Sequence, residues 1–306
     1  MYVAYSGVLS LQGKLCAVVV TYHPSEKFFD NLRTMTQQFS LVIIVDNTPY
    51  GEKTYPIKNY ASSKINIIAN CKNVGIAKAL NQGIEHARSY GAEWAITFDQ
   101  DTIISSNFVE ELLKACSHHL RGNNVGVIGV NYHNANNLQT ERDVNDSEPI
   151  LEVSDVITSG CLTSVQAFKE IGGFCEKLFI DMVDCEYCFR LRKNGYKVLI
   201  YSKPMMKHAV GNLEVITLLG KKIKLFNHTP FRRYFIFRNT IYMLKKYFFF
   251  DIKWCLTKIV FNYLPKLFIK ACLLEKRKKE NFKWIIKGIR DGIFSRYDNS
   301  FMENGK

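Results

Sequence analysis

The chain has 306 residues, 47% of them apolar, and a formal net charge of +13. It is long and apolar enough to bury a sizeable core, and its length suits one large domain or one domain with an appendage. The longest run without a charged residue, residues 122–140, is Asn-rich and not apolar enough to span a bilayer, so no membrane-spanning helix is predicted, and the first 13 residues lack the basic n-region of a secretory signal.

Charge is unevenly spread. Residues 1–220 carry 20 Lys/Arg and 22 Asp/Glu, whereas residues 221–290 carry 19 and 3. The first part reads as a slightly acidic globule and the second as a segment suited to an anionic surface. Nine cysteines are scattered through apolar segments. The one Cys-x-x-Cys, Cys185 and Cys188, has no second pair to complete a zinc site, so the cysteines read as small core residues in a reducing cytoplasm.

In chain order, Leu15 to Thr21 is a continuous apolar, β-branched run, the pattern of a strand covered on both faces. Ser25 is placed to cap a helix running to about Gln38. Leu41 to Val45 predicts a second buried strand ending on Asp46-Asn47, and Ile65 to Ala69 a third. NCKNVGIAKALNQG, from Asn70 to Gly83, leads into a helix ending near Tyr90. Trp94 to Phe98 is the fourth strand; it ends on Asp99 and Asp101, two carboxylates one residue apart. A helix over about Asn107 to Leu120 and a strand from Val125 to Val130 follow. Strands alternating with helices of this length imply parallel pairing in a doubly wound α/β sheet.

Polar groups recur at the strand tips: Thr21, Asp46, Asn73 and the Asp99/Asp101 pair. In such sheets ligands collect beyond the carboxyl ends of the strands. The spacing of Asp99 and Asp101 lets both reach one hard cation, and oxygen ligands suit Mg²⁺ or Mn²⁺. Two solvated loop aspartates are the plainer reading. There is no Gly-x-Gly-x-x-Gly after the first strand and no Gly-Lys-Ser/Thr loop, which counts against a dinucleotide dehydrogenase and a P-loop NTPase.

Residues 131–156 read as a long surface loop with a short strand near Ile150 to Val153. A helix is predicted from about Val183 to Lys193, with Glu186 and Arg190 spaced as an i,i+4 brace. Asp184, near its start, is either a dipole-favoured capping carboxylate or a general base. A strand over Lys197 to Tyr201 precedes His208, a partly buried surface histidine unless the fold returns it to Asp101.

Taken together, these segments resemble the family-2 inverting glycosyltransferases of the GT-A fold, most closely the bacterial rhamnosyltransferases. The resemblance spans about Leu15 to Lys246. Its motifs are Val18-Val-Val-Thr-Tyr-His-Pro24, Val45-Asp-Asn47, Asn73-x-Gly75-x-Ala77-x-Ala79-x-Asn81-x-Gly83 and Phe98-Asp-Gln-Asp101. They continue with Thr158-Ser-Gly160, Phe179-Ile-Asp-x-x-Asp-x-Glu-Tyr-x-x-Arg190 and Phe231-Arg-Arg-Tyr-x-x-x-Arg-Asn239.

The resemblance implies the following roles. Thr21, Asp46, Asn73 and Gly75 contact the nucleotide-sugar donor. Asp101 ligates a divalent metal on the diphosphate, with Asp99 on the metal or ribose side and His208 as a second ligand. Asp184 is the catalytic base, and Asp181 and Gly160 contact the acceptor or the donor sugar. Val183 departs from the pattern of related galactofuranosyltransferases, which carry a second acidic residue there.

Residues 242–274 interleave aromatics with lysines, and Pro265 should kink or divide them. This composition suits an in-plane helix at an anionic leaflet, through residues 241–290. The alternative is a helical appendage packed on the catalytic domain, its lysines solvated. Nucleic acid is not expected, since no reading module is recognisable.

The expectation is a GT-A catalytic domain over residues 1–240 and a basic, amphipathic helical tail over 241–306. The activity expected is transfer of L-rhamnose from dTDP-L-rhamnose to a lipid-linked surface polysaccharide or O-antigen. The enzyme would be peripheral on the cytoplasmic face of the plasma membrane. Transfer of another hexose or galactofuranose from a UDP-sugar is the alternative within the class, and a non-catalytic membrane adaptor the alternative outside it.

Overall fold

Every residue of Leu15–Thr21 (β1) and Leu41–Asp46 (β2) is buried, as expected for branched apolar strands sandwiched between helices. The computed structural model describes residues 13–52, 57–121, 124–134, 140, 149–208, 214–218 and 220–297. The first 12 residues and most of the polar loop after residue 134 thus lie outside the described residues. The chain divides into two units: residues 13–176 with 184–208, and residues 177–183 with 214–297.

In the first unit the remaining strands are Ile65–Ala69 (β3), Trp94–Asp99 (β4), Ile103–Ile104 (β5), Val125–Asn134 (β6), Ile150–Glu152 (β7), Cys161–Ser164 (β8) and Lys197–His208 (β9). They form one sheet in the order β3-β2-β1-β4-β8-β6-β9-β5, with β7 also on β9. Its helices are Glu26–Gln38 (α1), Ile76–Ser89 (α2), Phe108–Arg121 (α3), Val165–Ile171 (α4) and Val183–Lys193 (α5).

The first four strands pair in parallel, as expected, with Thr21 opposite Asp46 and Val20 opposite Asp99. The α2 helix rides directly on them. A Cβ on Gly83 would sit 2.2 Å from Val18 Cγ1, so the glycine that closes the Asn73–Gly83 motif is a close-packing requirement.

Three features differ from the sequence reading. β8, not assigned as a strand from the sequence, runs antiparallel to both β4 and β6, and no helix lies among the described residues between β6 and β8 to carry a parallel return. β6 continues to Asn134, and β9 runs past Tyr201 to His208, each extended by its pairing with the other. Ser25 stands at the N-cap of α1, but its side chain makes no cap hydrogen bond.

The second unit holds a hairpin, Glu214–Leu218 (β10) with Lys221–Leu225 (β11), and the long helix Pro230–Tyr247 (α6). The Thr229 hydroxyl accepts from Arg232 N and Pro230 occupies the first turn, so α6 starts with both standard devices. Residue 240, the expected end of the catalytic domain, lies inside this helix. Residues 252–274 form a helical stretch in which α-turns alternate with π-turns, with Pro265 in the first turn of Leu264–Ile269. The last helix, Lys278–Ile293 (α7), lies backbone to backbone on α6, since a Cβ at Gly288 would fall 2.4 Å from Tyr234 O.

Arg233 is fully buried and its Nη2 donates to both carboxylate oxygens of the equally buried Glu275. Its Nε and Nη1 find no other partner among the described residues. The guanidinium is therefore balanced by one residue. Glu275→Ala strands a buried charge and should cost about 3–5 kcal/mol of stability, read as a drop in the urea unfolding free energy. The double variant Arg233→Met/Glu275→Leu should recover much of that loss; equal loss in the double variant would show that the pair's charge is not what matters.

Candidate active site

The tip of β4 and the end of β9 meet through a two-residue ladder. β5 pairs antiparallel with Met206 and Lys207, Ile103 opposite Lys207, which sets His208 beside Thr102. Thr102 Oγ1 lies 3.1 Å from His208 Nδ1, and Tyr132 packs edge-on against the imidazole. Nδ1 is 3.4 Å from Asp101 Oδ1, and Nε2 is 3.8 Å from Asp99 Oδ2.

One ligand atom from each of Asp99, Asp101 and His208 lies within 4.8 Å of the others, the one such cluster among the described residues. The carboxylates are 39% and 47% exposed, while the imidazole is 13% exposed. Two open carboxylates beside a held imidazole fit a divalent cation that accepts mixed oxygen and nitrogen donors, and Mn²⁺ suits such a set better than Mg²⁺.

Across β1, the tip of β2 carries a built acceptor. Thr21 Oγ1 at 2.9 Å, Thr48 Oγ1 at 2.8 Å and Thr48 N at 3.3 Å all donate to Asp46 Oδ1. Oδ2 is left without a protein donor among the described residues. The clasp fixes the carboxylate, and Thr21 is buried beneath it.

The third tip is organised by side-chain amides. Gly75 N donates to Asn73 Oδ1 at 3.0 Å, and Asn47 Nδ2 donates to Gly75 O at 3.3 Å. Gly75 has φ +85°, a conformation that L side chains rarely adopt, at the entry to α2.

Asp184 stands half-buried in the first turn of α5, its Oδ1 accepting from Cys185 N at 2.8 Å. Burial pushes the Cys185 thiol well above its ordinary 9.0, and the Asp184 charge adds to that. Burial likewise raises Cys161 to about 12, again with an Asp184 contribution. Cys161 pairs with Thr97 on β4, two residues before Asp99. Asp184 thus lies within electrostatic reach of β8 where it joins β4. Burial raises the Cys188 thiol as well, and the cysteines belong to no metal-ligand cluster among the described residues.

The Glu186–Arg190 brace is present. Arg190 Nη2 is 2.9 Å from the buried Glu186, and the same guanidinium donates to the carbonyls of Ile171 and Gly173. Gly160, with φ +69°, donates its N–H to Thr97 O, and a Cβ there would fall 2.5 Å from Met206 Sδ. Its position is a packing requirement in the wall behind the strand tips.

The description "Glycosyl transferase family 2" belongs to the family model that matches residues 18–172. A curated relative, dTDP-rhamnosyl transferase RfbF of Shigella flexneri, is 31% identical over 299 residues, covering 92% of this chain and 96% of the relative. The chain belongs to glycosyl transferase family 2.

Solved structures show the same fold. S. aureus TarS 1–349 in complex with UDP-GlcNAc superposes with a TM-score of 0.58 at 16% identity, over 92% of this glycosyltransferase and 80% of that chain. The glycosyltransferase spans about half, 49%, of the longer S. aureus TarS chain, which gives a TM-score of 0.57. GalNAc-T7 with UDP, GalNAc and Mn²⁺ gives 0.54 at 13% identity, over 93% of this chain and 58% of that one. At these identities the likeness is one of fold, and the fold is GT-A.

Two hydroxyls escaped the sequence reading. Thr48 and Thr102 each follow an aspartate closely, in Asp46-Asn-Thr48 and Asp101-Thr102. Hydroxyls this close to aspartates at a strand tip are the available signal for such a clasp.

Asp181 belongs to the second unit of the glycosyltransferase, where Arg232 holds it by two nitrogens, Nη2 at 2.9 Å and Nε at 3.1 Å. Phe179, Asp181 and Met182 all have positive φ, between +59° and +64°. Asn239 Nδ2 lies within hydrogen-bonding distance of the carbonyls of Leu178, Ile180 and Asp181, and Arg238 donates to that of Lys177. The Phe231–Asn239 motif is therefore a clamp on residues 177–182.

His228 sits just before the clamp. Burial, then Arg232 and Arg233, lower its pKa from 6.5 to about 4, partly opposed by Asp181. The unfolded chain takes up this proton near pH 6.5 and the folded chain only near pH 4, so stability is intact above that window and falls through it. His228→Gln should flatten the urea midpoint between pH 6.5 and 4 relative to wild type; an unchanged slope would assign the acid sensitivity to other groups.

Proposed function

We propose that this glycosyltransferase moves L-rhamnose from dTDP-L-rhamnose to a lipid-linked surface polysaccharide, of O-antigen type, by inverting single displacement. The observation that carries the chemistry is the Asp99–Asp101–His208 cluster at the strand tips. The donor sugar rests on the relative RfbF, a dTDP-rhamnosyl transferase.

In this reading Asp101, Asp99 and His208 hold a divalent ion, Mg²⁺ or Mn²⁺. When bound, the ion supplies the positive charge that a departing nucleoside diphosphate requires. Thr21, Asp46, Asn73 and Gly75 bind the nucleoside side of the donor. The unused Oδ2 of Asp46, fixed by three donors to Oδ1, is a ready acceptor for a base or ribose N–H or O–H. Pre-set acceptors orient the donor without an ordering cost at binding.

Asp184 serves as general base, taking the proton of the acceptor hydroxyl as that oxygen attacks the anomeric carbon. Its first-turn position favours the carboxylate form needed to accept a proton. One base opposite one leaving group gives inversion. Asp181 and Gly160 are assigned to the acceptor or donor-sugar side, Asp181 with its carboxylate oriented by Arg232. The enzyme works peripherally on the cytoplasmic face of the plasma membrane, its basic segment 241–290 on anionic lipid. No described helix is long and apolar enough to cross a membrane.

Purified protein screened for diphosphate release across dTDP- and UDP-sugars, with and without Mn²⁺, should show metal-stimulated turnover greatest with dTDP-L-rhamnose; preference for a UDP-hexose would refute the donor assignment. Asp101→Ala should lower turnover by about a hundredfold or more and remove the metal response, and a variant that keeps both would take Asp101 out of the site. Asp184→Asn should bind dTDP like wild type while transfer falls by about 10²–10⁴-fold; near-normal transfer would mean another base.

A further inference from the structure

The second unit contains an apolar groove that the reaction does not use. Its volume is about 410 Å³, within the about 300–1,000 Å³ of ligand sites. Phe237 of α6, Leu264, Phe268 and Ile269 of the middle helical turn, and Ile289 of α7 line it. Stretches of π-helix lie on both sides of that turn, and such departures from α-helix recur at functional sites.

The surroundings say what chemistry fits. Phe261, Ile269 and Leu273 project from the same stretch at 73%, 50% and 62% exposure. Residues 252–290 carry eleven Lys/Arg and two Glu, and both glutamates are paired, Glu275 with Arg233 and Glu280 with Arg277. Lys258 and Lys266 are exposed beside the groove-forming helix. An apolar slot on a stretch that also exposes hydrophobic side chains together with Lys258 and Lys266 matches a hydrocarbon chain joined to an anionic head.

We infer that this groove binds one hydrocarbon chain of a phosphate-headed membrane lipid, drawn from the bilayer, with the lysines on the head group. The inference deepens the membrane reading above and rests on it. A chain withdrawn into protein adds a buried apolar contact to an otherwise electrostatic and salt-sensitive attachment.

The test uses the full chain and two measurements. Titration calorimetry with monomeric dodecyl phosphate, with ethyl phosphate as the chainless control, reads the groove. Sedimentation with phosphatidylcholine vesicles, with and without phosphatidylglycerol, reads membrane attachment. Dodecyl phosphate should bind one-to-one and ethyl phosphate should not. Ile269→Asp, at a half-exposed position that folding tolerates, should weaken the chain-bearing ligand about tenfold or more. Lys258→Gln/Lys266→Gln should instead lower phosphatidylglycerol-dependent retention.

Retention on phosphatidylglycerol vesicles without dodecyl phosphate binding, and unchanged by Ile269→Asp, would overturn the groove assignment and leave the membrane reading standing. Absence of wild-type retention on those vesicles would remove the membrane reading itself and this inference with it. A concentration-dependent dimer that Ile269→Asp dissolves, in protein that ignores dodecyl phosphate, would give the groove to a second copy of the chain.

Discussion

The in-register parallel pairing of β1 between β2 and β4 is the constraint on which the site depends. It sets Thr21 opposite Asp46 and Val20 opposite Asp99, so three chain segments end on one edge of the sheet. A slip of one residue would turn every buried Val of β1 to the opposite face, exchanging its packing against α2 for that of the other layer. Burying each such side chain is worth about 1.5–3 kcal/mol. The polar tips are therefore held together by the apolar core beneath them. The β5–β9 ladder, only two residues on one side, then brings His208 to the same edge from more than a hundred residues away.

Much of this was legible in the sequence, because it follows from local pattern. Continuous branched runs gave β1, β2 and β4, and their alternation with helices gave parallel order. Asp99 and Asp101 were identifiable as a pair because their spacing is a local fact. What was not legible depends on partners distant in sequence. β9 reads as a strand only to Tyr201, because Ser202, Lys203 and Pro204 interrupt the apolar run; pairing with β6 and β5 carries it on to His208. β8 was not assigned at all, since nothing local marks a four-residue strand that follows a long loop. Thr48 and Thr102 have no periodic signal at all.

The second unit is built around α6, which runs through residue 240. Charge counts report surface, whereas α6 is a packing element with Arg233, Arg238 and Asn239 fully buried. Its arginines and Asn239 face backbone carbonyls and carboxylates within the unit, and they hold three non-glycine residues in left-handed conformations. Each such residue costs on the order of 1 kcal/mol or more and persists only when its surroundings over-determine it. The clamp ends one residue before α5, whose first turn carries Asp184. The motif that resembled a family signature in sequence is, physically, a set of hydrogen-bond donors for one strained segment.

A crystal structure of the full chain with Mn²⁺ and dTDP tests the central claim most directly, because manganese is located by its own anomalous scattering. The expected result is one manganese ion bound by Asp101 and His208, with Asp99 at its side and the dTDP diphosphate completing its coordination. Manganese bound elsewhere with dTDP seated at the β1 and β2 tips, or a diphosphate lying away from the Asp99–Asp101–His208 cluster, would contradict it.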